Sequence, residues 1–390
     1  MPAFPSVGGW VERGADLVRS AWQSNPVAVA GAAALVLLVV ALGAYGLHRY
    51  RRPPVARLSS VLGAADTVTI LLHPNPDPDA MATGVGLAHL AERAGSDSVL
   101  QYTGEIRHPE NRAFRTVLEL DLERIEDRED LASETVVLAD HNEPRGFIGA
   151  DAVRPTAVVD HHPGGGTGRL FTDVRPEYGA ASTIVAEYLD DLGLTPTTEP
   201  DEVDNPLPAE TASALMYGIL ADTDHLTAGA TPAEFSASAY LSDGIDEDAL
   251  DRIANPTVDA ESLDVKAKAI ERRQVQGPFA VSHVGSVSNA DAIPQAADEL
   301  LQLEGVSAVV VSGEKDGTIH LSGRSRDDRV HMGRTMEYAV EDVPMGNGGG
   351  HARMGGAQLS VDHMEGLGPS DGLSIDDLHD RLLAAMNGET

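Results

Sequence analysis

Short apolar runs in this chain are followed at once by acidic side chains or histidines. "TVTILL" leads into "HPNPDPDA" at residues 73–80, "ETVVLAD" ends at Asp140, and "PTAVVDHH" ends at His162. Such β-branched and aliphatic runs are typical of buried strands. Because the carboxyl ends of parallel strands meet at one edge of a sheet, these polar side chains are expected to converge.

Amphipathic helical patterns separate and follow these runs. "ATGVGLAHLAERAG" comes after the first run, and "GAASTIVAEYLDDLG" and "ETASALMYGILADTD" come after the third. Alternation of strands with helices favours a parallel α/β sheet. We therefore predict an α/β domain with a parallel sheet over residues 58–250.

A smaller α+β domain is predicted downstream. Residues 251–275 have the pattern of a helical connector, and residues 276–361 combine β-like runs with a helix around "IPQAADELLQL". An acidic tail over residues 362–390 contains a further helical pattern. A chain of 390 residues is long enough for two domains with separate cores.

An uncharged stretch near the N-terminus has the length of a membrane span. Residues 27–47 are 21 residues without a formal charge, close to the ~20 that a helix needs to cross a bilayer. The preceding segment 1–26 has few basic residues, whereas the linker 48–57 begins with "HRYRR". The positive-inside rule then predicts a single-pass transmembrane helix in the cell membrane, with the large C-terminal part in the cytoplasm. A cleaved signal peptide or a buried helix is the alternative.

The charge balance is strongly acidic. The chain has 61 acidic and 28 basic residues, a net charge of −33 at pH 7. Broad electrostatic attraction cannot recruit nucleic acid to such a surface, so a phosphate-bearing ligand needs local cations. The composition resembles halophilic proteins, whose self-repulsion concentrated salt screens because the Debye length falls to ~3 Å near 1 M salt. An ordinary acidic surface is the alternative.

The sequence contains no cysteine. Disulfides, thiol catalysis and cysteine-ligated zinc are therefore excluded, and any metal site must use His, Asp and Glu. Oxygen-rich ligand sets suit Mn or Mg better than they suit soft metals.

The polar residues after the strands are candidate metal ligands, since a two-metal site needs several carboxylates and imidazoles close together. In the first group, Asp77 and Asp79 are spaced to serve neighbouring ions from an extended loop, and His73 precedes them. Each candidate taken alone is also compatible with a turn, a helix cap or an exposed histidine pair. The remaining candidates are Asp140, Asp160, His161, His162 and Asp222.

A glycine-rich run is the main feature of the downstream domain. Consecutive glycines in "GNGGGHARMGG" at residues 346–356 let backbone N–H groups approach an anion. His351 and Arg353 add donors there, and Arg324 upstream is a candidate phosphate-binding guanidinium. A flexible loop without a ligand is the alternative.

Taken in order, these motifs resemble the DHH phosphoesterase family, over roughly residues 58–361. "HPNPDPDA" resembles the family's His-x-Asn-Pro-Asp-x-Asp-Ala, "DHH" its namesake triplet, and "GILADT" its Gly-Ile-x-x-Asp-Thr. "RS" and "GGGH" are similar to elements of the DHH-associated domain. The chain departs from the family in having "MGG" after that last element, where relatives often have Ala-Ala-Gly.

The resemblance implies two divalent ions, with Mn²⁺ expected and Mg²⁺ or Co²⁺ as alternatives. One ion is implied to take His73, Asp77 and Asp140. The other is implied to take Asp79, His161 and Asp222, with Asp140 bridging the two ions.

The resemblance also implies the catalytic and substrate-binding residues. Asp140, Asp160 and His162 form the implied catalytic set, in which His162 contacts the phosphate or protonates the leaving group and Asp160 orients a histidine. The implied substrate contacts are Arg324, Ser325, Gly348, Gly349, Gly350, His351 and Arg353.

The implied activity is hydrolysis of short oligonucleotides, or of linear or cyclic dinucleotides such as pApA, to mononucleotides. A pAp phosphatase and a pyrophosphatase or polyphosphatase are alternatives within the same class. A nucleotide-binding regulator without catalysis is the alternative outside it. The implied partners are the substrate and the membrane, and a homodimer is left open.

Overall fold

The structure is a computed structural model that describes residues 20, 23–27, 30–31, 35, 53–367 and 371–389. The predicted transmembrane segment 27–47 lies outside these residues except at positions 27, 30, 31 and 35. Within the described ranges, no helix is both long enough and apolar enough to cross a bilayer. The transmembrane helix therefore stays a prediction.

The described residues form two compact units. The first contains the residues up to Glu105 together with Leu120–Glu247, and the second contains Ile106–Glu119 and the residues from Asp248 onward. Residues 106–119 thus belong to the second unit, although the chain before and after them belongs to the first. The domain limits inferred from the sequence stay predictions.

A six-stranded parallel sheet organises the first unit. Its strands are β1 Thr67–Leu72, β2 Asp97–Tyr102, β3 Leu122–Arg124, β4 Val136–Ala139, β5 Ala157–Asp160 and β6 Phe171–Val174. Their spatial order is β3-β2-β1-β4-β5-β6, with every pair parallel. The chain winds outward from β1 on one side and from β4 on the other. Ligands bind at the carboxyl ends of strands where the winding direction reverses, here between β1 and β4.

Helices cover this sheet, and β4 and β5 are buried at every position, as expected for central parallel strands. A two-stranded parallel sheet, β7 Thr195–Thr197 and β8 Pro206–Pro208, completes the first unit. Its helices are α1 Pro54–Leu62, α2 Pro78–Arg93, α4 Ala181–Asp191, α5 Ala209–Asp222 and α6 Pro232–Leu241, whereas α3 Pro109–Val117 belongs to the second unit.

The second unit contains a mixed sheet in the order β13-β14-β12-β11-β10-β9. Only β10 and β11 pair in parallel among these strands. The strands are β9 Gln274–Gln276, β10 Phe279–Ser286, β11 Ala308–Lys315, β12 Thr318–Ser325, β13 Asn347–Gly350 and β14 Met354–Ser360. The helices from the unit boundary onward are α7 Glu247–Ala254, α8 Ala260–Glu271, α9 Ala292–Leu300, α10 Met332–Val340, α11 Val361–Met364 and α12 Ile375–Asn387.

Alternating strand residues give the second sheet two apolar faces. Val281 packs with α10 and α12 on one face, whereas Ala280 packs with α8 and α9 on the other. This follows from the two-residue period of a strand, which sends successive side chains to opposite faces. The predicted parallel α/β fold and a separate mixed-sheet C-terminal domain are therefore confirmed.

A buried histidine makes the second unit sensitive to acid. His379 on α12 is 3% exposed, and neither ring nitrogen has a hydrogen-bond partner among the described residues. Burial and the nearby His283 lower the pKa of His379, and Asp376 and Asp380 on the same helix only partly oppose this. The unfolded chain therefore binds a proton that the folded unit disfavours. Stability contributed by neutral His379 is lost as pH falls below its unfolded pKa of about 6.5.

We expect the free energy of unfolding to decrease as pH falls from 7.5 to 5, and the His379→Leu variant to show a shallower decrease. Urea unfolding at several pH values measures this dependence. His108→Leu, at an exposed position of the same unit, is the control and should keep the wild-type dependence. An unchanged pH dependence in His379→Leu would contradict the assignment.

Candidate metal centre

Two predicted side chains stand directly after the neighbouring strands β1 and β4. His73 follows β1 and Asp140 follows β4, where the winding of the sheet reverses. His73 Nε2 lies 3.4 Å from Asp77 Oδ2 and 3.5 Å from Asp140 Oδ2. Asp140 has a φ of 61°, in the left-handed region that Asp tolerates better than most residues. Backbone strain of this kind is typical of functional sites.

A second group surrounds His161, which follows β5. Its Nε2 lies 3.3 Å from Asp222 Oδ2, 3.4 Å from Asp140 Oδ1 and 3.9 Å from Asp79 Oδ2. Asp222 is the last residue of α5, so a helix end contributes to the same cluster as the strand ends. Asp140 directs one oxygen to each histidine and is therefore shared by both groups.

Asp77 is the N-cap of α2. Its Oδ1 accepts the N–H of Ala80 at 3.0 Å, and Pro78 occupies the first helical position. The helix thus begins four residues before the pattern "ATGVGLAHLAERAG". The extended loop expected for both acids is wrong for Asp79, which lies in the first helical turn.

Asp79 is fully buried and joins two helices. Its carboxylate accepts the N–H groups of Ala181 at 2.7 Å and Ser182 at 2.9 Å, the first two residues of α4. The helix macrodipole favours an anion at this position. Gly218 of α5 lies close by, where a Cβ would come within 2.4 Å of Ser182 Oγ. The close approach of α5 to α4 therefore requires glycine at position 218.

Asp160 fixes the orientation of His162 through hydrogen bonds. Its Oδ1 accepts the N–H of His162 at 3.0 Å and lies 2.9 Å from His162 Nδ1, while its Oδ2 accepts a hydrogen bond from Asn142 at 2.6 Å. His162 Nδ1 also lies 3.4 Å from Asp140 Oδ1, and its side chain is half exposed. The structure therefore places His162 at the solvent side of the cluster with its orientation fixed.

The electrostatics of the cluster are those of acids that share protons with histidines. Burial lowers the pKa of His73, but Asp140 and Asp77 outweigh burial and raise it to about 11. Burial likewise lowers the pKa of His161, and Asp222 and Asp140 raise it to about 9. Burial raises the pKa of Asp140, yet its contacts with His162 and His73 lower it to about 2. Protons on these histidines occupy positions that cations can take, because metal ligands must be deprotonated.

Unpartnered polar atoms test whether the cluster fits a metal. Asp140 Oδ1, Asp140 Oδ2 and His161 Nε2 are buried and have no hydrogen-bond partner among the described residues. Leaving such groups unsatisfied costs about 1–3 kcal/mol each. All three are donor atoms of the kind that divalent cations bind, and they lie in the groups whose ligand atoms are within 4.8 Å of one another. The residues present therefore fit divalent metal ions.

The predicted substrate contacts all lie in the second unit. Arg324 Nε pairs with Asp298 at 2.6 Å, and Arg353 pairs with Asp328 at 3.2 Å. Ser325 Oγ accepts the N–H of Asp327 at 3.0 Å. His351 forms part of the turn between β13 and β14.

The glycine-rich run is a β-hairpin and not a flexible loop. Gly348, Gly349 and Gly350 form β13 at the edge of the sheet, paired with β14. A Cβ at Gly348 would lie 2.6 Å from the carbonyl oxygen of Met336, so α10 packs too close for a side chain. Gly349 has no such neighbour within 3.9 Å. Packing therefore explains only part of the glycine content.

Sequence reasoning missed three residues around the cluster. His141 is buried with its Nδ1 3.0 Å from the carbonyl oxygen of Ala139, and burial lowers its pKa to about 4. The carbonyl oxygen of Tyr178 lies 3.1 Å from His161 Nδ1, and Glu234 accepts the N–H of the next residue, Gly179. Only Glu234 had a sequence indication, because "TPAE" has the spacing of a helix capping box.

Comparisons with known proteins identify two family domains in the chain. Residues 67–219 match the DHH family, N-terminal domain, and residues 276–367 match the DHHA1 domain. An uncharacterized protein of Methanocaldococcus jannaschii is 36% identical over 293 residues, covering 75% of this chain and 58% of that protein. The cyclic-di-AMP phosphodiesterase GdpP of Geobacillus thermodenitrificans is 27% identical over 325 residues, covering 78% and 46%. A crystal structure of an exopolyphosphatase-related protein from Bacteroides fragilis has the same fold, with a TM-score of 0.58, 17% identity and coverage of 86% and 95%.

The fold, the cluster and these matches agree on a DHH domain with a candidate divalent-metal centre. The chain belongs to the DHH family and carries a DHHA1 domain after its DHH domain. It spans 58% and 46% of the length of the two relatives named above.

Asp140→Asn tests the shared carboxylate. Asn also tolerates a positive φ, so the fold should be kept while one shared negative charge is lost. We expect Mn²⁺ affinity, measured by calorimetry, to fall by about 100-fold or more, because residues behind metal ligands alone contribute ~10–100-fold. Asp151→Asn, at an exposed acid of the same unit, should bind Mn²⁺ like the wild type. Wild-type affinity in Asp140→Asn would show that the two groups do not share this residue.

Proposed function

We propose that this chain is a divalent-metal-dependent phosphodiesterase that hydrolyses short oligonucleotides, or linear or cyclic dinucleotides, to mononucleotides. The observation that carries the proposal is Asp140, whose two buried, unpartnered oxygens each face a different histidine. A carboxylate shared in this way fits a pair of adjacent cations, as in two-metal phosphoesterases.

One ion would be held by His73, Asp77 and Asp140, and the other by Asp79, His161 and Asp222 with Asp140 between them. Asp79 can still bind a cation because each of its oxygens keeps a second lone pair beside its backbone hydrogen bond. The absence of sulfur ligands favours Mn²⁺, with Mg²⁺ or Co²⁺ as substitutes. When bound, the ions supply Lewis acidity and neutralise charge on the phosphoryl group.

His162 is the residue that we assign to proton transfer with the substrate. Asp160 engages its Nδ1, so Nε2 is the atom that can donate a hydrogen bond or a proton to an ester oxygen. The nearby carboxylates of Asp140 and Asp160 raise the pKa of His162 to about 10, which favours the positively charged form. Asp160 fixes the ring and keeps that charge next to the cluster.

The proposed substrate is a small nucleotide because the chain as a whole repels polyanions. With a net charge of −33, binding depends on local cations and not on a basic surface. The similarity to a cyclic-di-AMP phosphodiesterase over 78% of this chain supports a dinucleotide. We assign Arg324, Ser325, the glycine strand, His351 and Arg353 to the nucleotide end of the substrate.

We also propose that residues 27–47 anchor the enzyme in the cell membrane, with the catalytic part in the cytoplasm. The uncharged stretch and its basic flank support this. The full chain should stay in the membrane fraction after a carbonate wash, whereas residues 53–390 should not. Recovery of the full chain in the wash would contradict the anchor.

A substrate panel tests the proposed activity. Purified protein with Mn²⁺ is incubated with pApA, a short RNA, cyclic-di-AMP, pAp and inorganic pyrophosphate, and products are separated by chromatography. We expect mononucleotide release from at least one of the first three substrates, loss of release with EDTA, and loss in Asp222→Asn. Preference for pAp or for pyrophosphate would replace the proposal with the corresponding phosphatase. Nucleotide binding without hydrolysis would replace it with a regulator.

His351→Ala tests the substrate assignment in the second unit. We expect a higher KM with little change in kcat, because a contact to the far end of the substrate contributes equally to ground-state and transition-state binding. Gln358→Ala, at an exposed position of β14, is the matched control. Unchanged KM in His351→Ala would remove this residue from the binding site.

A further inference from the structure

One peptide unit connects a histidine of the cluster to a buried carboxylate. His161 Nδ1 lies 3.1 Å from the carbonyl oxygen of Tyr178, and the N–H of Gly179 donates to Glu234 Oε1 at 2.9 Å. This carbonyl and this N–H belong to the same planar peptide. The hydrogen bonds therefore run without a break from Glu234 through the peptide to the imidazole.

This arrangement determines which ring nitrogen of His161 faces the cluster unprotonated. A carbonyl oxygen can only accept, so Nδ1 carries the hydrogen in this bond. The neutral ring then presents a bare Nε2, the atom that lies 3.3 Å from Asp222 and 3.4 Å from Asp140. A bare nitrogen is what a metal ion needs from a histidine.

Glu234 differs from an ordinary helix-capping residue. Glu234 is the third residue of α6 and the last residue of the capping box that begins this helix. Its Oε2 accepts both the N–H and the hydroxyl of Thr231 at 2.7 Å. Asp377 holds the same position in the capping box of α12 and is exposed, whereas Glu234 is fully buried. Burial raises the pKa of Glu234, but hydrogen bonds from Thr231 and Gly179 outweigh burial and lower it. A buried carboxylate is costly unless it is hydrogen-bonded, and the N–H of Gly179 supplies a bond beyond those of the cap.

The peptide is held on its other sides too. A Cβ at Gly179 would lie 2.8 Å from Thr223 Cγ2, so no other residue fits there. The hydroxyl of Tyr178 donates to Glu187 at 2.8 Å, and the Arg175 guanidinium lies 5.0 Å from the centre of its ring. Contacts on both sides of the peptide therefore support the carbonyl that meets His161.

We propose that Glu234 is a positioning residue for His161 and acts through the Tyr178–Gly179 peptide; the metal-binding part of this inference rests on the proposed function. The carboxylate polarises the peptide, because hydrogen bonds in a chain strengthen one another in a buried site. The stronger hydrogen bond at Nδ1 fixes the orientation of the His161 ring and makes its Nε2 a stronger metal ligand. Histidine ligands commonly receive this support directly from a carboxylate or a carbonyl, and here a carboxylate supports the carbonyl.

Glu234→Gln tests the proposal, because it keeps the shape of the side chain and removes its charge. By Mn²⁺ calorimetry, we expect one of the two binding steps to weaken by about 10-fold, in the range for groups behind a ligand. The step assigned to His73 and Asp77 should be unchanged. Thr231→Ala is the matched control, because it removes the N-cap hydroxyl and its bond to Glu234 Oε2 but leaves the charge of Glu234 and the bond from Gly179 to Oε1. Its Mn²⁺ affinity should stay at the wild-type value.

Nitrogen-15 NMR of the histidine rings gives a readout that needs no metal. At a pH where the ring of His161 is neutral, the wild type and Thr231→Ala should show the Nδ1–H tautomer, whereas Glu234→Gln should show a mixture. If Glu234→Gln does not fold, Glu234→Asp replaces it, since the shorter side chain keeps the charge but cannot span both partners. The same selective loss is expected.

The outcomes separate this inference from the proposed function. A wild-type protein that binds no Mn²⁺ would overturn the proposed function, and the tautomer measurement would still decide the role of Glu234. Normal Mn²⁺ binding with unchanged tautomers in the Glu234 variants would overturn the positioning role alone. Equal losses in Glu234→Gln and Thr231→Ala would also overturn it, because helix stability would then explain both.

Discussion

Repulsion among buried carboxylates is the constraint on which the rest of the first unit depends. Burial raises the pKa of Asp79 and Asp222, and neighbouring acids raise both further, so the cluster resists full ionisation. Asp140, in contrast, is kept ionised by its contacts with histidines. A fold can place acids this close only if positive charge lies between them, supplied by protons on histidines or by cations. The cluster therefore needs protons on its histidines or cations in their place.

Backbone N–H groups stabilise two of these carboxylates in addition to the histidine side chains. Asp77 caps the start of α2, and Asp79 accepts two N–H groups from the start of α4. Helix N-termini carry partial positive charge, so each acid is stabilised by a helix as well as by its histidine neighbours. The parallel sheet then brings these helix starts to the edge where β1 and β4 end.

The sequence predicted the components of the cluster better than their supports. His73, Asp140 and Asp160 each follow an apolar run, and strand ends of a parallel sheet must converge, so their meeting was foreseeable. Tyr178 acts through its carbonyl, which every residue possesses, so no side-chain pattern could reveal it. From the sequence, the glycine-rich run is either an anion-binding run or a flexible loop, whereas the structure shows a strand. It forms β13 by pairing with β14, and α10 packs too closely for a side chain at Gly348.

The short connection from β6 to α4 has to satisfy several parts of the unit at once. The N–H of Arg175 bonds the carbonyl oxygen of Asp160, and the peptide after Tyr178 links His161 to Glu234. Ala181 and Ser182, which follow the connection and open α4, bond Asp79. Inserting or deleting one residue here would break all of these contacts together. The length of this connection is consequently constrained as well as its sequence, and transplanting the cluster into another sheet would require moving it intact.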